Sequence, residues 1–87
     1  MTISDGRLLA DLRNTVAEAA AYRSIAWGFG VLADLPETHA TGVSLCLFRQ
    51  RQYLDYAGQC DRLAERLRRA ATERGIDLKE DQHGSEG

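Results

Sequence analysis

The 87-residue sequence has one proline, two cysteines and almost no excess of charge of either sign. The single proline, Pro36, lies in a polar stretch rich in turn-forming residues, which marks the main connection of the chain. Two cysteines, Cys46 and Cys60, are too few for a disulfide scaffold, so both are expected to be free thiols. The net charge of −2 argues against a general attraction to nucleic acid or to anionic membranes.

Long hydrophobic runs are also missing. The longest, from Ile25 to Leu35, is too short to span a bilayer, and extending it backwards meets Arg23 and Glu18. The first residues mix acids and bases where a signal peptide would need a basic end followed by an apolar run. The sequence therefore predicts a cytoplasmic protein that does not bind or cross membranes.

The clearest structural signal is a helix from Tyr53 to Arg74. Its apolar residues recur at spacings of three and four, which is typical of a helix with one buried face. Gly75 follows, and glycine is the residue that most often ends a helix. The predicted buried face consists of Leu54, Ala57, Cys60, Leu63, Ala64, Leu67, Ala70 and Ala71.

A first helix is predicted from about Asp5 to Tyr22. Ser4 and Asp5 are good capping residues, and leucines and alanines follow at helical spacing. The alanines between Ala17 and Ala21 would let another helix approach closely. Close approach raises the packing density of a core that has few large residues.

Two interpretations remain open for residues 24–48, and they set the fold class. In the favoured one the chain is mostly α, a small helical hairpin or bundle with a kink near Gly28 and Gly30, completed by self-association or by a partner. The second helix would begin after Thr38 or Thr41 and run through the Tyr53 segment. The alternative is an α+β chain of order α-β-β-α. Its two-stranded hairpin would occupy about 24–31 and 42–48, where apolar residues alternate as in a strand.

The sequence predicts one small helical domain over residues 1–75, followed by an acidic tail over residues 76–87. The tail carries four acids and a single lysine, Lys79. Ile76 and Leu78 are expected to pack back on the last turn of the second helix, and the rest of the tail is expected to be disordered, as chain ends that nothing ties down usually are.

No pattern of catalytic or metal-binding residues stands out. The residue types that bind zinc are His39, Cys46, Cys60 and His83, but their spacing contains no closely spaced pair of ligands. Neither cysteine has a histidine placed beside it as a base. We therefore expect no enzyme activity, no cofactor, no metal and no small-molecule substrate.

Two groups of residues are candidates for binding a partner. Aromatic side chains of the kind enriched in binding hot spots cluster around the central connection, and arginines form a stripe on the second helix. Each group also has a structural explanation, as core or as a solvated helix face. The candidate residues are Trp27, Phe29, Tyr53 and Tyr56 from the first group and Arg62, Arg66 and Arg69 from the second.

These observations favour a non-enzymatic protein–protein interaction module that binds a protein partner or itself as a homodimer. An adaptor, a complex subunit, or an inhibitor or regulator, for instance of host or phage machinery, would have this profile. The alternative is a nucleic-acid-associated regulator that uses the arginine stripe. The small negative net charge and the absence of aromatic residues interleaved with the arginines speak against nucleic acid.

Overall fold

The computed structural model describes residues 3–78, which form two antiparallel helices. Helix α1 is Asp5–Asp34 and helix α2 is Ala40–Glu73, and residues 35–39 connect them. The predicted helical hairpin is confirmed, and residues 3–78 contain no strand. The segments 24–31 and 42–48, to which the alternative assigned strands, lie within α1 and α2. Of the acidic tail predicted over residues 76–87, residues 79–87 lie outside the described residues, so their disorder stays a prediction.

Helix α1 begins where the sequence predicts and ends much later. The Ser4 hydroxyl accepts a hydrogen bond from the backbone N–H of Arg7 at 3.2 Å and so caps the first turn. The helix then continues beyond Tyr22, through Gly28 and Gly30, to Asp34. An added Cβ at Gly30 would lie 2.6 Å from Nε2 of Gln50, so the absence of a side chain there makes room for the Gln50 amide of α2.

The connection is short and is tied to the end of α1. The Thr38 hydroxyl donates a hydrogen bond to the backbone carbonyl of Leu32 at 2.6 Å, and the Thr38 N–H donates to the carbonyl of Leu35 at 3.1 Å. These bonds satisfy carbonyl groups that the end of a helix leaves without partners. Pro36 stands between them, where the helix has already stopped. The position of the predicted reversal is confirmed.

Gly75 ends α2 as predicted, and it does so in the left-handed conformation. Its φ is 77°, its N–H bonds to the carbonyl of Thr72 at 2.9 Å, and the Ile76 N–H bonds to the carbonyl of Ala71 at 3.0 Å. This pair of bonds is the Schellman motif. The bonds turn the chain, and Ile76 and Leu78 are both half-buried.

Gly75→Ala should lower the free energy of unfolding by about 1–2 kcal/mol, because an L-residue in the left-handed region is strained. Gly28→Ala is the matched control. It lies inside α1, a Cβ there would meet nothing within 4 Å, and alanine favours helix by about 1 kcal/mol over glycine. Urea unfolding followed by circular dichroism should move the two midpoints in opposite directions. Equal shifts would contradict this account of Gly75.

The two helices meet along a seam whose residues alternate at spacings of three and four, a seven-residue repeat typical of helices packed side by side. All of these residues are buried or half-buried. The seam residues are Leu8, Leu12, Thr15, Ala19, Tyr22, Ala26, Phe29 and Ala33 in α1 and Val43, Cys46, Gln50, Tyr53, Ala57, Cys60, Ala64, Leu67 and Ala71 in α2.

The centre of the seam is made of alanine. Ala26, Ala57 and Ala71 are the side chains with exposures of 1% or less, and no large side chain among residues 3–78 is fully buried. The predicted buried face of α2 is wrong at Leu54 and Leu63, which are exposed. One facing helix covers only a narrow stripe, so apolar residues at the edges of a wider stripe stay in solvent.

Ion pairs hold the hairpin at its open end and at its middle. The Arg74 guanidinium donates to the carbonyl of Ile3 and to the Asp5 carboxylate, which ties the end of α2 to the start of α1. Halfway along, the Arg23 guanidinium donates to the Asp61 carboxylate. These pairs are exposed and contribute little stability individually. They show which residues of the two helices lie opposite each other.

Candidate interaction surface

The exposed apolar side chains are concentrated in the half of the hairpin next to the connection, residues 25–56, here called the loop half. Only Ile3, Val16 and Leu63 among the exposed large apolar residues lie outside it. Apolar side chains scattered singly over a surface are ordinary, whereas a concentration of them marks a binding site or an aggregation hazard. The exposed large apolar residues of the loop half are Ile25, Trp27, Val31, Leu32, Leu35, Leu45, Leu47, Phe48, Leu54 and Tyr56.

The other half of the hairpin has the opposite character. Residues 3–24 and 57–78 carry most of the charged side chains, including the Arg23 pair with Asp61 and the Arg74 pair with Asp5. The two largest buried apolar residues, Leu8 and Leu12, also lie there. The surface of the hairpin is therefore mainly charged in the half that holds residues 3–24 and 57–78, and mainly apolar in the half next to the connection.

One broad surface of the hairpin, here called the Trp27 face, carries Trp27, Val31, Leu47 and Leu54. Trp27, Val31 and Leu47 line an open cavity of about 320 Å³ together with Gly30 and the polar residues Asp34 and Gln50. Leu54 lies seven residues from Leu47 and so projects on the same side of α2. Trp27 is 73% exposed, which is unusual because tryptophan side chains are highly buried on average. The Arg23 pair with Asp61 borders this apolar surface on the side away from the connection.

The opposite surface is partly closed by an aromatic cluster. The Tyr22 ring lies 5.9 Å from the Tyr53 ring and 5.5 Å from the Tyr56 ring, measured between centroids. Phe29 stacks on Tyr53 at 5.8 Å, and Tyr53 meets Tyr56 edge to face at 5.9 Å. Such ring pairs add stability beyond the area that they bury. The Tyr56 hydroxyl also accepts a hydrogen bond from the Gln52 amide at 3.3 Å.

The sequence proposed four aromatic residues as partner-binding, and in the structure they lie in two different places. Phe29 and Tyr53 lie in the seam and hold the two helices together, and Tyr56 joins them at the edge. Trp27 lies apart from this cluster, on the Trp27 face. Of the four, Trp27 is therefore the side chain most available to another molecule.

The arginine stripe lies in the charged half, on the outward side of α2. Arg62, Arg66 and Arg69 are all exposed. The Glu65 carboxylate lies 3.8 Å from the Arg69 guanidinium and 3.8 Å from that of Arg68, so part of the positive charge is compensated within the helix. The stripe is on a different part of the molecule from the loop half.

A second cavity, of about 370 Å³, lies near the open end of the hairpin. Leu78 borders it after the turn at Gly75, which brings the chain back against α1. The cavity is lined mainly by apolar side chains, with two arginines. The lining residues are Leu12, Arg13, Val16, Ala17, Ala20, Arg68 and Leu78.

The Cys60 thiol lies in the seam beside a carboxylate. Its sulfur is 3.9 Å from Oε2 of Glu18, to which it donates a weak hydrogen bond. Desolvation between the helices, followed by the negative charge of Glu18, raises the pKa of the Cys60 thiol above its ordinary value. A raised pKa leaves less thiolate at neutral pH, which makes a poor nucleophile.

Glu18→Gln should accelerate alkylation of Cys60 by iodoacetamide. Removing the carboxylate charge lowers the thiol pKa, so the thiolate fraction rises at every pH below that pKa, and the fold increase in rate should shrink only when the pH approaches it. A Cys46→Ser background isolates the Cys60 signal in mass spectrometry. The Glu37→Gln variant, which alters an exposed acid in the connection, is the control. An unchanged rate in Glu18→Gln would contradict this role of Glu18.

Among residues 3–78, no group of three or more histidine, cysteine, aspartate or glutamate residues is placed to hold a metal ion. Neither α1 nor α2 is long and apolar enough to cross a membrane.

Sequence reasoning named Trp27 as a candidate but missed its neighbours Val31, Leu47 and Leu54. A signal for them exists in the sequence. Leu47 and Leu54 are seven residues apart, next to the seam positions Cys46 and Tyr53, so a seven-residue count along α2 places them beside the seam rather than in it.

Comparisons with protein-family models, curated proteins and solved structures found no match for this chain.

Proposed function

We propose that the chain is a non-enzymatic protein–protein interaction module whose loop half is covered by another polypeptide. The observation that supports this most strongly is the position of the exposed large apolar side chains. Of the thirteen among residues 3–78, ten lie within residues 25–56. Apolar side chains in contact with water cost free energy in proportion to the apolar area that they expose. Covering it would recover that free energy as binding energy.

The thinness of the hairpin supports the same proposal. With only alanines fully buried at the seam, the monomer gains little from burial, and folded domains are stable by only about 5–15 kcal/mol in any case. A third layer packed on the loop half would bury side chains that two helices cannot enclose. Binding and folding stability would then be linked.

Capture from cells that express the chain tests the proposal. The loop-half variant Leu32→Gln, Leu45→Gln, Leu47→Gln should lose its bound protein, while its helical circular dichroism persists because the three side chains are already exposed. The matched control is Arg62→Gln, Arg66→Gln, Arg69→Gln, which changes three exposed residues of the other half. Loss of the same protein from the arginine variant alone would overturn the assignment to the loop half.

The arginine stripe carries the second candidate function, binding to nucleic acid. The exposure of all three arginines favours it, and the pairing of Arg69 with Glu65 and the net charge of −2 oppose it. We expect fluorescence anisotropy with DNA or RNA at physiological salt to show no micromolar binding. Salt-sensitive binding at micromolar or lower concentration, abolished in the triple arginine variant, would instead establish this second function.

A further inference from the structure

We propose that the cavity near the open end of the hairpin is the docking site of the chain's own acidic tail. In this arrangement residues 79–83 lie over the cavity, and the Asp81 carboxylate is bound by the guanidinium groups of Arg13 and Arg68. The proposed function concerns the loop half, so this inference does not depend on it. Three observations carry it: the place where the described chain reaches the cavity, the charges on the two sides, and the local sequence around Leu78.

The chain is already held against the cavity at the residue where the acidic segment begins. The turn at Gly75 reverses its direction, and Ile76 and Leu78 are half-buried. Leu78 then lines the cavity beside Leu12 and Val16 of α1. A segment tethered this closely has an effective concentration on the order of millimolar at the site, so contacts that are weak individually are enough to hold it.

The charges of the cavity and of the tail are complementary. Among the described side chains that line the cavity there are two cations, Arg13 and Arg68, and no acid. Residues 79–87 carry three acids and one lysine, a net charge of −2 with His83 neutral. The Arg68 side chain is 46% exposed and its guanidinium lies 3.8 Å from the Glu65 carboxylate, a long ion pair that leaves room for a second carboxylate. An acid of the tail at this place therefore gains charge-assisted contacts to two guanidinium groups.

The sequence around Leu78 favours one more turn of helix. Leu78 itself has helical conformation. Asp77 precedes it and Glu80 follows Asp77 by three residues, a pattern that caps the start of a helix, and Gly84 stands where a single turn would end. Residues three apart share one face of a helix, so Asp81 lies on the same side as Leu78, about 5 Å further along.

The length of the segment also fits. The cavity extends along α1 from Leu12 to Ala20, about 12 Å at 1.5 Å per residue. Residues 79–83 measure about 8 Å as a helix, so they are long enough to cover most of it. They would also cover Val16, one of the three exposed large apolar residues outside the loop half. Leu78 supplies the apolar contact of this docked turn, and Asp81 supplies the charged one.

Nuclear magnetic resonance of the full 87-residue chain at low salt tests the docking. We expect the amides of residues 79–82 to show heteronuclear NOE values close to those of α2, and we expect NOE contacts from residues 81–82 to the methyl groups of Ala17 or Ala20. Both signals should be lost in Asp81→Asn and at about 1 M salt, because the attraction is between charges at the surface. Glu86→Gln is the matched control, since it removes the same charge beyond Gly84, and it should leave both signals unchanged.

Three results would overturn the proposal. In the unmodified chain, amides of residues 79–82 as mobile as those of residues 85–87 would show that nothing holds the tail. Order that persists in Asp81→Asn would show that the charged contact does not hold it. Signals that change with protein concentration would assign the cavity to a second copy of the chain instead of the tail.

A pair of arginine variants tests the site on the hairpin. Arg13→Gln, Arg68→Gln should release the tail while the helical circular dichroism persists, because both side chains are exposed. The matched control is Arg62→Gln, Arg66→Gln, which removes the same charge from exposed positions of α2 that do not line the cavity. Equal loss of the tail signals in the two variants would show that only the overall charge of the chain attracts the tail, and would overturn the assignment to the cavity.

Discussion

Replacing Ala57 with aspartate is expected to unfold the hairpin. Ala57 is 1% exposed and lies near the middle of the seam between α1 and α2. A carboxylate at this position would be buried without a partner, and an uncompensated buried charge costs about 3–5 kcal/mol. A two-helix domain whose fully buried side chains are alanines has a small free energy of unfolding. A decrease of this size should therefore abolish the cooperative unfolding transition. Circular dichroism with urea titration would measure it.

Gln59→Asp provides the control for this substitution. It introduces the same residue two positions along the same helix, at an exposed site, where changes usually stay within about 0.5 kcal/mol. The cost of Ala57→Asp should also shrink on acidification, because burial raises the pKa of the new carboxyl and protonation removes the charge. Similar destabilisation by the two variants, or an effect independent of pH, would show that the alanine seam is not the centre of the fold.

The alanine seam explains which parts of the fold the sequence predicts. Ser4 and Gly75 act through bonds to their nearest neighbours, so their roles follow from local chemistry alone. The turn around Pro36 is local in the same way. Each of these features is as the sequence predicts, and together they determine that the chain is a hairpin of two long helices.

The segment 24–31 could not be decided by the same means. Its apolar residues alternate, as in a strand, but on α1 they point in different directions: Trp27 to the exposed face and Phe29 to the seam. The alternation of apolar residues in this segment therefore does not mark one side of a strand, because the alternating side chains lie on different sides of a helix. Helix propensity also disfavours a helix at Gly30, yet the Gln50 amide of α2 occupies the space where a side chain at this position would lie, a contact that the local sequence does not reveal.

The candidate surface was harder to predict, because it depends on how much of each helix one facing helix can cover. Leu54 and Leu63 belong to the apolar stripe of α2 and were expected to be buried, yet both are exposed. A seam filled with alanine brings the helices close and leaves larger apolar residues at its margins. The position of the opposite helix determines which of these larger apolar residues together form an exposed surface, and the sequence alone does not give that position.

Tyr53→Ala is expected to lower the free energy of unfolding by about 3 kcal/mol, the low end of the range for removing a large core aromatic. The Tyr53 ring contacts Tyr22, Phe29 and Tyr56 at centroid distances of 5.8–5.9 Å, so its loss removes three ring contacts at once. Tyr53→Phe keeps the ring and should cost less than about 1 kcal/mol. Urea midpoints at a fixed protein concentration would measure both.

Comparison with Trp27→Ala tells whether these aromatic residues act within one chain or between chains. Tyr53 lies in the seam, so the loss in Tyr53→Ala should be nearly the same at every protein concentration. Trp27 is exposed, so the loss in Trp27→Ala should be small in dilute protein. If a second copy of the chain covers the loop half, the loss should grow with protein concentration, because an interface between copies stabilises the fold by mass action. If the effect of Trp27→Ala were independent of concentration, Trp27 would serve the isolated hairpin, and the interface would have to lie elsewhere on the loop half.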